Sequence, residues 1–376
     1  MKPIKNLAII AFVLMSMGSM AQNSKLRSFT PGAIWPDNKG VHINAHGGGL
    51  LEFDGAYYWY GEHKIEGKAG NRAMVGVHVY SSNDLYNWKD EGIALAVSEN
   101  PESLIVKGCI IERPKVIYNA KTKKFVMWFH HELKGMGYSA AKTGLAVADS
   151  PTGPFEYIHS VNPNAVQWPL NFTAEQKQMS FPEELKSWSE EWLEAVADGL
   201  FIHRDFEKGQ MARDMTLFVD EDGKAYHIHA SEENLTLHIS ELNDEYTAFT
   251  DRYVAVMPAG HNEAPAIFKK DGKYYLIASG CTGWAPNAAR SFVADQIFGP
   301  WTSLGNPCRG SEEQVETTFD SQSTYILENP ENPGEFIFMA DRWAPDNAID
   351  GRYIWLPLEF EDDKPVINWN SEWTLK

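Results

Sequence analysis

The sequence predicts an all-β protein, a five-bladed β-propeller with a helical insertion between its second and third blades. Two observations predict this fold. A unit made of a polar residue, a short apolar strand, a turn and an aromatic strand occurs five times along the chain. A further pair of strand-like segments follows each unit, so each repeat has about four short strands, as one propeller blade has. A β-sandwich made of irregular hairpins is the alternative fold.

Each of the five units begins on a side chain that can hydrogen-bond or ionise, and we call these residues the openers. The openers are His46, Glu112, Asp214, Glu263 and Gln322. Apolar and polar residues alternate within the units, and the Asp-Gly pairs at 54–55, 222–223 and 271–272 predict tight hairpin turns. The second and fifth units turn on longer connections, at 119–124 and 332–335. The aromatic residues of these hairpins are expected mainly in the core between blades; they are Tyr58, Trp59, Trp128, Tyr274 and Tyr275.

The longest interval between two openers holds the insertion, at about residues 161–211. Its segment 181–201 has apolar residues at helical spacing, Pro182 near its start and acidic residues in its first turns, which predicts a helix. We expect this helix to pack on the rim of one blade and the insertion to wall one side of the pocket. Residues 22–376 are predicted to form a single propeller domain.

Residues 1–21 have the pattern of an export signal. Lys2 and Lys5 precede an apolar run at 7–15, and the small residues around Ala21 suit cleavage. The run is too short for a stable membrane span, and no other stretch of the sequence is apolar and long enough to form one. We therefore expect an exported protein, in the periplasm or outside the cell, and the sequence leaves these two locations and the oligomeric state open.

The composition narrows the class of partner. A net charge of -18 without basic clusters disfavours nucleic acid and acidic polysaccharides, whereas neutral glycans remain suitable. Two of the three cysteines, Cys109, Cys281 and Cys308, could pair in an exported protein, but their spacing does not say which. No oxygen-rich ligand loop is present, so neither a metal nor another cofactor is predicted.

The openers carry the predicted chemistry, because the inner strands of a propeller start around one axis. Three carboxylates brought together in a dry pocket repel, so at least one should keep its proton above its usual pKa. Glycoside hydrolysis needs such a proton donor for the leaving oxygen. Glu263 is the expected donor because it begins a short apolar strand, and Asp214 is expected to raise its pKa. Arg213 either pairs with Asp214 in the pocket or forms an ordinary surface ion pair. The alternative to a catalytic role for the openers is that each one merely caps its strand.

Six segments together form a specific pattern, at 44–64, 111–132, 212–232, 262–287, 318–327 and 339–358. Through them nearly all of the mature chain resembles glycoside hydrolase family 43, and it is most similar to the exo-β-1,3-galactanase branch. The resemblance implies a five-bladed propeller that inverts the anomeric carbon. It also implies a neutral, plant-type glycan as substrate.

The resemblance also implies roles for the openers. Glu263 corresponds to the general acid, Glu112 to an essential carboxylate that grips the terminal sugar, and Gln322 to the place where the water is held or activated. Most family members have an aspartate base at the start of the first blade, whereas the segment 44–47 has no carboxylate here. An amide is a poor base, so Gln322 is expected to position water, and Glu112 as the base is the rival assignment.

Further residues are expected to touch the sugar or its surroundings; they are His46, Glu62, Trp284, Asp341 and Arg342. Trp284 could stack on the apolar face of galactose, with core packing as the alternative. Glu62 could bond sugar hydroxyls or simply pair with Lys64, and His46 could instead bind a channel ion. Arg113 and Lys115 are expected to compensate the charge of Glu112.

Three functions remain in competition. The leading hypothesis is an inverting exo-acting hydrolase that releases galactose from β-1,3-galactan, the backbone of arabinogalactan. An α-L-arabinofuranosidase or a β-xylosidase of the same family is the second. A non-catalytic glycan-binding propeller is the third, because the first-blade base is missing, although the three acidic openers favour an enzyme.

Overall fold

Five sheets surround one axis in the computed structural model, which describes residues 25–182 and 184–375. The predicted five-bladed propeller is therefore confirmed. Four sheets have four strands, and the fifth has five. The predicted export signal at 1–21 lies outside the described residues.

In the first four blades the strands follow one another outwards from the axis in chain order. Blade one contains β1 (His46–Phe53), β2 (Ala56–His63), β3 (Gly76–Ser82) and β4 (Lys89–Ala96). Blade two contains β5 (Ile110–Asn119), β6 (Lys124–Glu132), β7 (Lys142–Ala148) and β8 (Glu156–Val161). Blade three contains β9 (Met215–Val219), β10 (Ala225–Ser231), β11 (Thr236–Leu242) and β12 (Phe249–Val256). Blade four contains β13 (Glu263–Lys270), β14 (Lys273–Ser279), β15 (Arg290–Ala294) and β16 (Thr302–Gly305).

Blade five has an added outer strand. It contains β17 (Cys308–Arg309), β18 (Gln322–Glu328), β19 (Phe336–Arg342), β20 (Arg352–Glu361) and β21 (Lys364–Asn368). The short β17 pairs in parallel with β21 at the outer edge, and a helix, α3 (Glu312–Glu316), leads from it towards the inner strand. The inner strand β18 contacts both β13 and β1, so the ring of five inner strands is closed.

Both ends of the described chain meet where blade five joins blade one. The backbone amide of Phe29 donates to the carbonyl of Trp373 at 2.8 Å, and the two rings stack with centroids 4.5 Å apart. Trp59 and Trp355 pack into the same cluster. This contact ties the first and last segments together and helps to keep the ring closed.

The apolar core consists of separate layers between neighbouring blades. Trp59 lies between blades five and one, Trp128 between two and three, and Tyr275 between four and five. Tyr274 lies in the layer between blades three and four, and Tyr58 packs at the edge of the layer between one and two. The expectation that these aromatic residues fill the space between blades is confirmed.

The insertion contains two short helices, α1 (Glu190–Ala197) and α2 (Leu200–Asp205), on the outer side of blade three. The predicted helix over 181–201 was wrong at its start, because residues 184–189 are not helical. Ser189 caps α1 by accepting the amide of Trp192, and Gly199, in the left-handed region at φ 80°, separates the helices. Within the described ranges, no helix is both long and apolar enough to cross a bilayer.

Shorter 3-10 turns lie outside these elements, at Lys68–Asn71, Gln176–Gln178 and Ala348–Asp350.

A β-bulge lies next to the opener in three blades, one, two and four. After His46, Glu112 and Glu263, two inner-strand residues stand opposite one residue of the second strand. The residue that follows each of these openers is left-handed, with φ 62° at Gly47, 54° at Arg113 and 53° at Ala264. Because a bulge bends the strand and redirects a side chain, it can turn the opener away from the regular pleat.

Candidate active site

One cavity of about 290 Å³ lies where the inner strands begin, and all five blades contribute to its wall. Four of the five openers line it. The lining residues are Glu62, Lys64, Glu112, Arg113, His130, Tyr138, Arg213, Asp214, Asn234, Glu263, Cys281, Gly283, Trp284, Gln322 and Trp343. None of the insertion residues 161–211 is among them, so the expectation that the insertion walls the pocket was wrong.

Glu263 is held by neutral donors. Its Oε1 accepts the amide of Asn234 at 2.6 Å and the thiol of Cys281 at 3.3 Å, and its Oε2 accepts the amide of Gln322 at 3.3 Å. Burial and the nearby charge of Asp214 raise the pKa of Glu263 to about 7. At neutral pH a large share of this carboxyl group therefore keeps its proton.

Glu112 has a cationic partner. Its Oε2 lies 3.1 Å from Nδ1 of His130, and its Oε1 accepts the hydroxyl of Tyr138 at 2.7 Å. Burial opposes its ionisation, but the hydrogen bond and charge of His130 outweigh burial and lower the pKa of Glu112 to about 2. Burial likewise opposes the charge of His130, but Glu112 and Glu132 raise the pKa of His130 to about 9. The pair is therefore ionised at neutral pH.

Asp214 is fixed by groups from blades two and four. Its Oδ2 lies 2.9 Å from Nη2 of Arg113 and accepts the backbone amide of Ala264 at 3.1 Å. The expected pairing with Arg213 is absent, because Arg213 instead donates to the carbonyl of Tyr138 at 2.9 Å. Arg113 was expected to compensate the charge of Glu112, its neighbour in the chain. It instead compensates the charge of another opener, Asp214.

Gln322 connects the acid to the cationic side of the cavity. Its carbonyl oxygen accepts hydrogen bonds from Arg113 and, at 3.4 Å, from the indole of Trp343. Its amide nitrogen donates to Ser279 at 2.8 Å as well as to Glu263. Donors on one side and acceptors on the other fix the orientation of this amide.

Glu62 lies in the wall beside Glu112. Its Oε2 is 2.5 Å from Nζ of Lys64, so the expected ion pair exists, and its Oε1 accepts the backbone amide of Arg113 at 3.1 Å. Burial raises the pKa of Glu62. Lys115 lies beneath the cavity, where it donates to the carbonyl of Gly47 at 2.9 Å and burial lowers its pKa to about 7.

Three residues expected to contact sugar lie outside the cavity lining. His46 is fully buried, and a Cβ on Gly351 would come within 2.5 Å of its ring. Asp341 is also buried, accepts the amide of Gly47 at 2.5 Å and joins blades five and one. Arg342 turns away and donates to the carbonyl of Phe319 at 2.9 Å. These placements correct the expectation of direct sugar contact.

Two tryptophans form the apolar part of the wall. Trp284 lines the cavity as expected and is 44% exposed. Trp343 lines it too, with its ring centroid 6.0 Å from that of Trp284. The guanidinium of Arg113 lies 5.3 Å from the Trp343 ring centroid. Blade five therefore faces the cavity with Trp343 as well as Gln322, and not with Asp341 or Arg342, the neighbours of Trp343 that were expected there.

Among the described residues, one set of side chains is close enough to share a metal ion. The set is Glu112, His130 and Asp214, whose ligand atoms lie within 4.8 Å of one another. A histidine ligand must be neutral. His130 instead contacts Glu112 and Glu132 through its two nitrogens, and these carboxylates raise its pKa to about 9. The arrangement fits an ion pair better than a metal site.

All three cysteines are unpaired, so no disulfide forms. Burial raises the pKa of Cys281 to about 11, which keeps this thiol a neutral donor towards Glu263.

The loops that join the second and third strands contribute at least one cavity residue in every blade, and these include Lys64, Tyr138, Asn234, Trp284 and Trp343. Of these, the sequence analysis missed Lys64, Tyr138 and Asn234 as lining residues. His130 was also missed, although hairpin register identifies it. It pairs directly with Glu112, just as Ser279 pairs with Glu263.

Comparisons with known proteins agree with this geometry. The model of glycosyl hydrolases family 43 matches residues 197–338. A β-1,3-galactosidase of this family, solved with galactodeoxynojirimycin, is 54% identical, with 92% of this chain and all of that chain covered and a TM-score of 0.89.

Other relatives are less similar to this chain. An exo-β-1,3-galactanase from Phanerochaete chrysosporium, solved with galactose, is 32% identical over 93% of this chain and 68% of that chain, with a TM-score of 0.73. The exo-β-1,3-galactanase of Clostridium thermocellum is 33% identical over 92% of this chain and 66% of that chain, also with a TM-score of 0.73. A β-D-galactofuranosidase from Aspergillus niger is 27% identical, over only 38% of this chain and 41% of that relative. The chain belongs to glycosyl hydrolases family 43 and is a glycoside hydrolase.

Proposed function

We propose that this enzyme is an inverting, exo-acting β-1,3-galactosidase that releases galactose from the non-reducing end of β-1,3-galactan. The observation that carries the proposal is the difference in pKa between two carboxyl groups in one cavity. The pKa is about 7 for Glu263 and about 2 for Glu112. At neutral pH one can donate a proton while the other stays charged. Galactose is the expected sugar because the relatives solved with galactose or galactodeoxynojirimycin share this architecture.

In the proposed reaction, Glu263 gives its proton to the glycosidic oxygen as the bond from that oxygen to C1 of galactose breaks. A water attacks C1 from the opposite face, which inverts the configuration, and the proton that this water loses passes to solvent. We assign the positioning of this water to Gln322, whose amide orientation is fixed by Arg113 and Ser279. Asp214 supports the acid, since its charge contributes to the raised pKa of Glu263.

We assign Glu112 to gripping the hydroxyls of the terminal galactose rather than to the role of base. A carboxylate with a pKa of about 2 is a weak proton acceptor. Both of its oxygens are also oriented by partners, His130 and Tyr138. A charged, oriented carboxylate suits recognition of sugar hydroxyls because each oxygen has a further lone pair for a ligand donor.

The test is incubation with β-1,3-galactobiose, with proton nuclear magnetic resonance recording the first anomer released. The expected product is α-galactose, formed by inversion of the β-linkage. Initial release of β-galactose would contradict the inverting mechanism. A panel with aryl α-L-arabinofuranoside, β-xyloside and β-D-galactofuranoside tests the substrate, because preferential cleavage of any of these would contradict the galactosidase proposal. If the protein binds these sugars but cleaves none of them, the result would favour a non-catalytic, glycan-binding propeller.

We also propose that the enzyme is exported and acts on a neutral, plant-type galactan. The export pattern at 1–21 and the net charge of -18 support this location and substrate class. Amino-terminal sequencing of protein recovered from the periplasm or medium is expected to begin at Gln22. Recovery of the uncleaved chain solely from the cytoplasm would contradict export.

A further inference from the structure

Three consecutive residues between β10 and β11 adopt the left-handed conformation. Glu232, Glu233 and Asn234 have φ values of 52°, 55° and 68°, and we call them the 232–234 turn. Residues with a Cβ rarely adopt this conformation, and runs of them are rarer still. Such strain persists only where the surrounding structure enforces it, and it is concentrated at functional sites.

The turn delivers one side chain to the acid. Asn234 is 9% exposed, and its amide nitrogen lies 2.6 Å from Oε1 of Glu263. The thiol of Cys281 approaches the same oxygen at 3.3 Å, whereas Oε2 has one described donor, Gln322, also at 3.3 Å. The short hydrogen bond from Asn234 therefore distinguishes the two oxygens of the carboxyl group.

This difference determines where a neutral Glu263 carries its proton. If the proton were bonded to Oε1, that oxygen would carry its own hydrogen in addition to the two hydrogens that Asn234 and Cys281 donate to it. The favoured position is therefore Oε2. Under the proposed function, that proton is the one transferred to the glycosidic oxygen, so its location decides whether the acid can act.

The insertion holds the 232–234 turn from outside the cavity. Leu235, the next residue, is buried in one apolar cluster with Trp192 and Phe201 of the insertion helices. Arg204 of α2 lies 3.1 Å from the carboxylate of Glu233. The insertion thus touches the turn through an apolar contact and an ion pair, although none of its residues lines the cavity.

The strand that carries the acid holds the other side of the turn. The backbone amide of Asn262, which precedes Glu263, donates to the carbonyl of Asn234 at 2.7 Å, and the amide of Gly260 donates to the carbonyl of Leu235 at 2.7 Å. The turn and the head of β13 are therefore linked through the backbone as well as through the Asn234 side chain.

We propose that the helical insertion supports catalysis through the 232–234 turn, and that Asn234 is the positioning residue that keeps the proton of Glu263 on Oε2. This inference rests on the proposed function of Glu263 as general acid. It gives the insertion a role in proton donation rather than in forming the pocket wall.

The main test compares Asn234→Gly with the wild-type enzyme on two substrates. Glycine accepts φ 68° without strain, so this variant removes the amide and keeps the turn. On β-1,3-galactobiose, whose leaving alcohol needs a proton, kcat is expected to fall about 10- to 100-fold, a partial loss compared with the roughly 10²- to 10⁴-fold that general acid catalysis contributes. On β-galactosyl fluoride, whose leaving fluoride needs little acid assistance, the expected change is below about twofold.

The pH profile gives a second readout. For the wild-type enzyme, kcat/KM is expected to fall as pH rises through the pKa of Glu263, about 7. A donor to a carboxylate favours its charged form, so removal of Asn234 should raise that pKa and move the basic limb to higher pH. An unchanged or lowered limb would overturn the assignment of Asn234 as donor. Equal losses on both substrates would also overturn it, because they would indicate a general structural defect.

The role of the insertion is tested with Arg204→Met, which keeps an apolar stem but removes the ion pair with Glu233. We expect a smaller loss on galactobiose, about threefold to tenfold, and again little loss on the fluoride. Arg252→Met is the matched control, because it removes a comparable pair with Glu241 in the same blade, away from the turn. Unchanged galactobiose turnover in Arg204→Met would overturn the role of the insertion. If the wild-type enzyme releases no galactose, both the proposed function and this inference are overturned. If only this inference is wrong, the wild-type enzyme is still active and its activity still depends on Glu263.

Discussion

Replacing Glu263 by glutamine is expected to stabilise the protein at neutral and alkaline pH while it abolishes acid catalysis. The carboxyl group has a pKa of about 7 in the folded protein, compared with an ordinary value of 4.5. Between these two values the folded chain holds a proton that the unfolded chain releases. The stability of the wild-type protein therefore falls as pH rises from about 4.5 to about 7, and glutamine removes this dependence.

The size of the effect follows from the pKa values. A rise from 4.5 to about 7 corresponds, at about 1.4 kcal/mol per pKa unit, to about 3 kcal/mol once the pH exceeds 7. For a chain of about 350 folded residues, this is roughly 4 °C in Tm. At pH 4 the carboxyl is neutral in the folded protein and largely neutral in the unfolded chain, so the two proteins should differ little there.

The assay is urea denaturation of Glu263→Gln and wild type at pH 4, 6 and 8, followed by intrinsic tryptophan fluorescence. Glu52→Gln, an exposed change near the far end of β1, serves as the control and should leave the pH dependence unchanged. Turnover of β-1,3-galactobiose should fall about 10²- to 10⁴-fold in Glu263→Gln. A stability difference that is the same at pH 4 and pH 8, or a variant less stable than wild type at pH 8, would refute the reasoning.

Two further predictions concern the other walls of the cavity. His130→Ser leaves Glu112 buried without its cation; we expect a loss of about 3–5 kcal/mol at pH 7 by denaturation and a higher pKa for Glu112, seen as an acidic limb of kcat/KM at higher pH. An acidic limb at the wild-type position would contradict the proposed pairing. Trp343→Ala should weaken galactose inhibition about tenfold, or roughly 1.4 kcal/mol, whereas the neighbouring Arg342→Ala should change it less than about twofold. Equal effects of the two changes would contradict the placement of Trp343 in the cavity wall.

The repeating part of the fold was predictable because each repeat carries its own local signals. Asp54 and Gly55 form the first hairpin turn with φ values of 52° and 75°, which is what an Asp-Gly pair between alternating strands predicts. The insertion is not repeated, so only its apolar periodicity was available. That periodicity identified a helical region but not its bounds, which depend on the Ser189 cap and on Gly199.

The inner layer of the site was predictable, and the outer layer was not. The openers recur at one place in each repeat, so their meeting around the axis follows from the fold. His46 is an exception, because its ring is fully buried against Gly351 and lies outside the cavity lining. The residues of the outer layer, such as Tyr138 and Asn234, lie in loops of unequal length that no repeat aligns. Their positions depend on backbone conformations that the sequence pattern does not encode.

Equivalent openers acquire different roles from the residues that face them across the hairpin. Glu112 faces His130 and becomes a charged group, whereas Glu263 faces Ser279 and keeps its proton. The identity of the opener is the same in both blades, and both carboxylates are largely buried, so burial alone cannot separate their pKa values. The cross-strand partner does, together with the charge of Asp214, which raises the pKa of Glu263. The apolar strand after Glu263 already indicated this residue as the proton donor. Reading the second strand in register with the first adds why Glu112, the equivalent residue, is the anion instead.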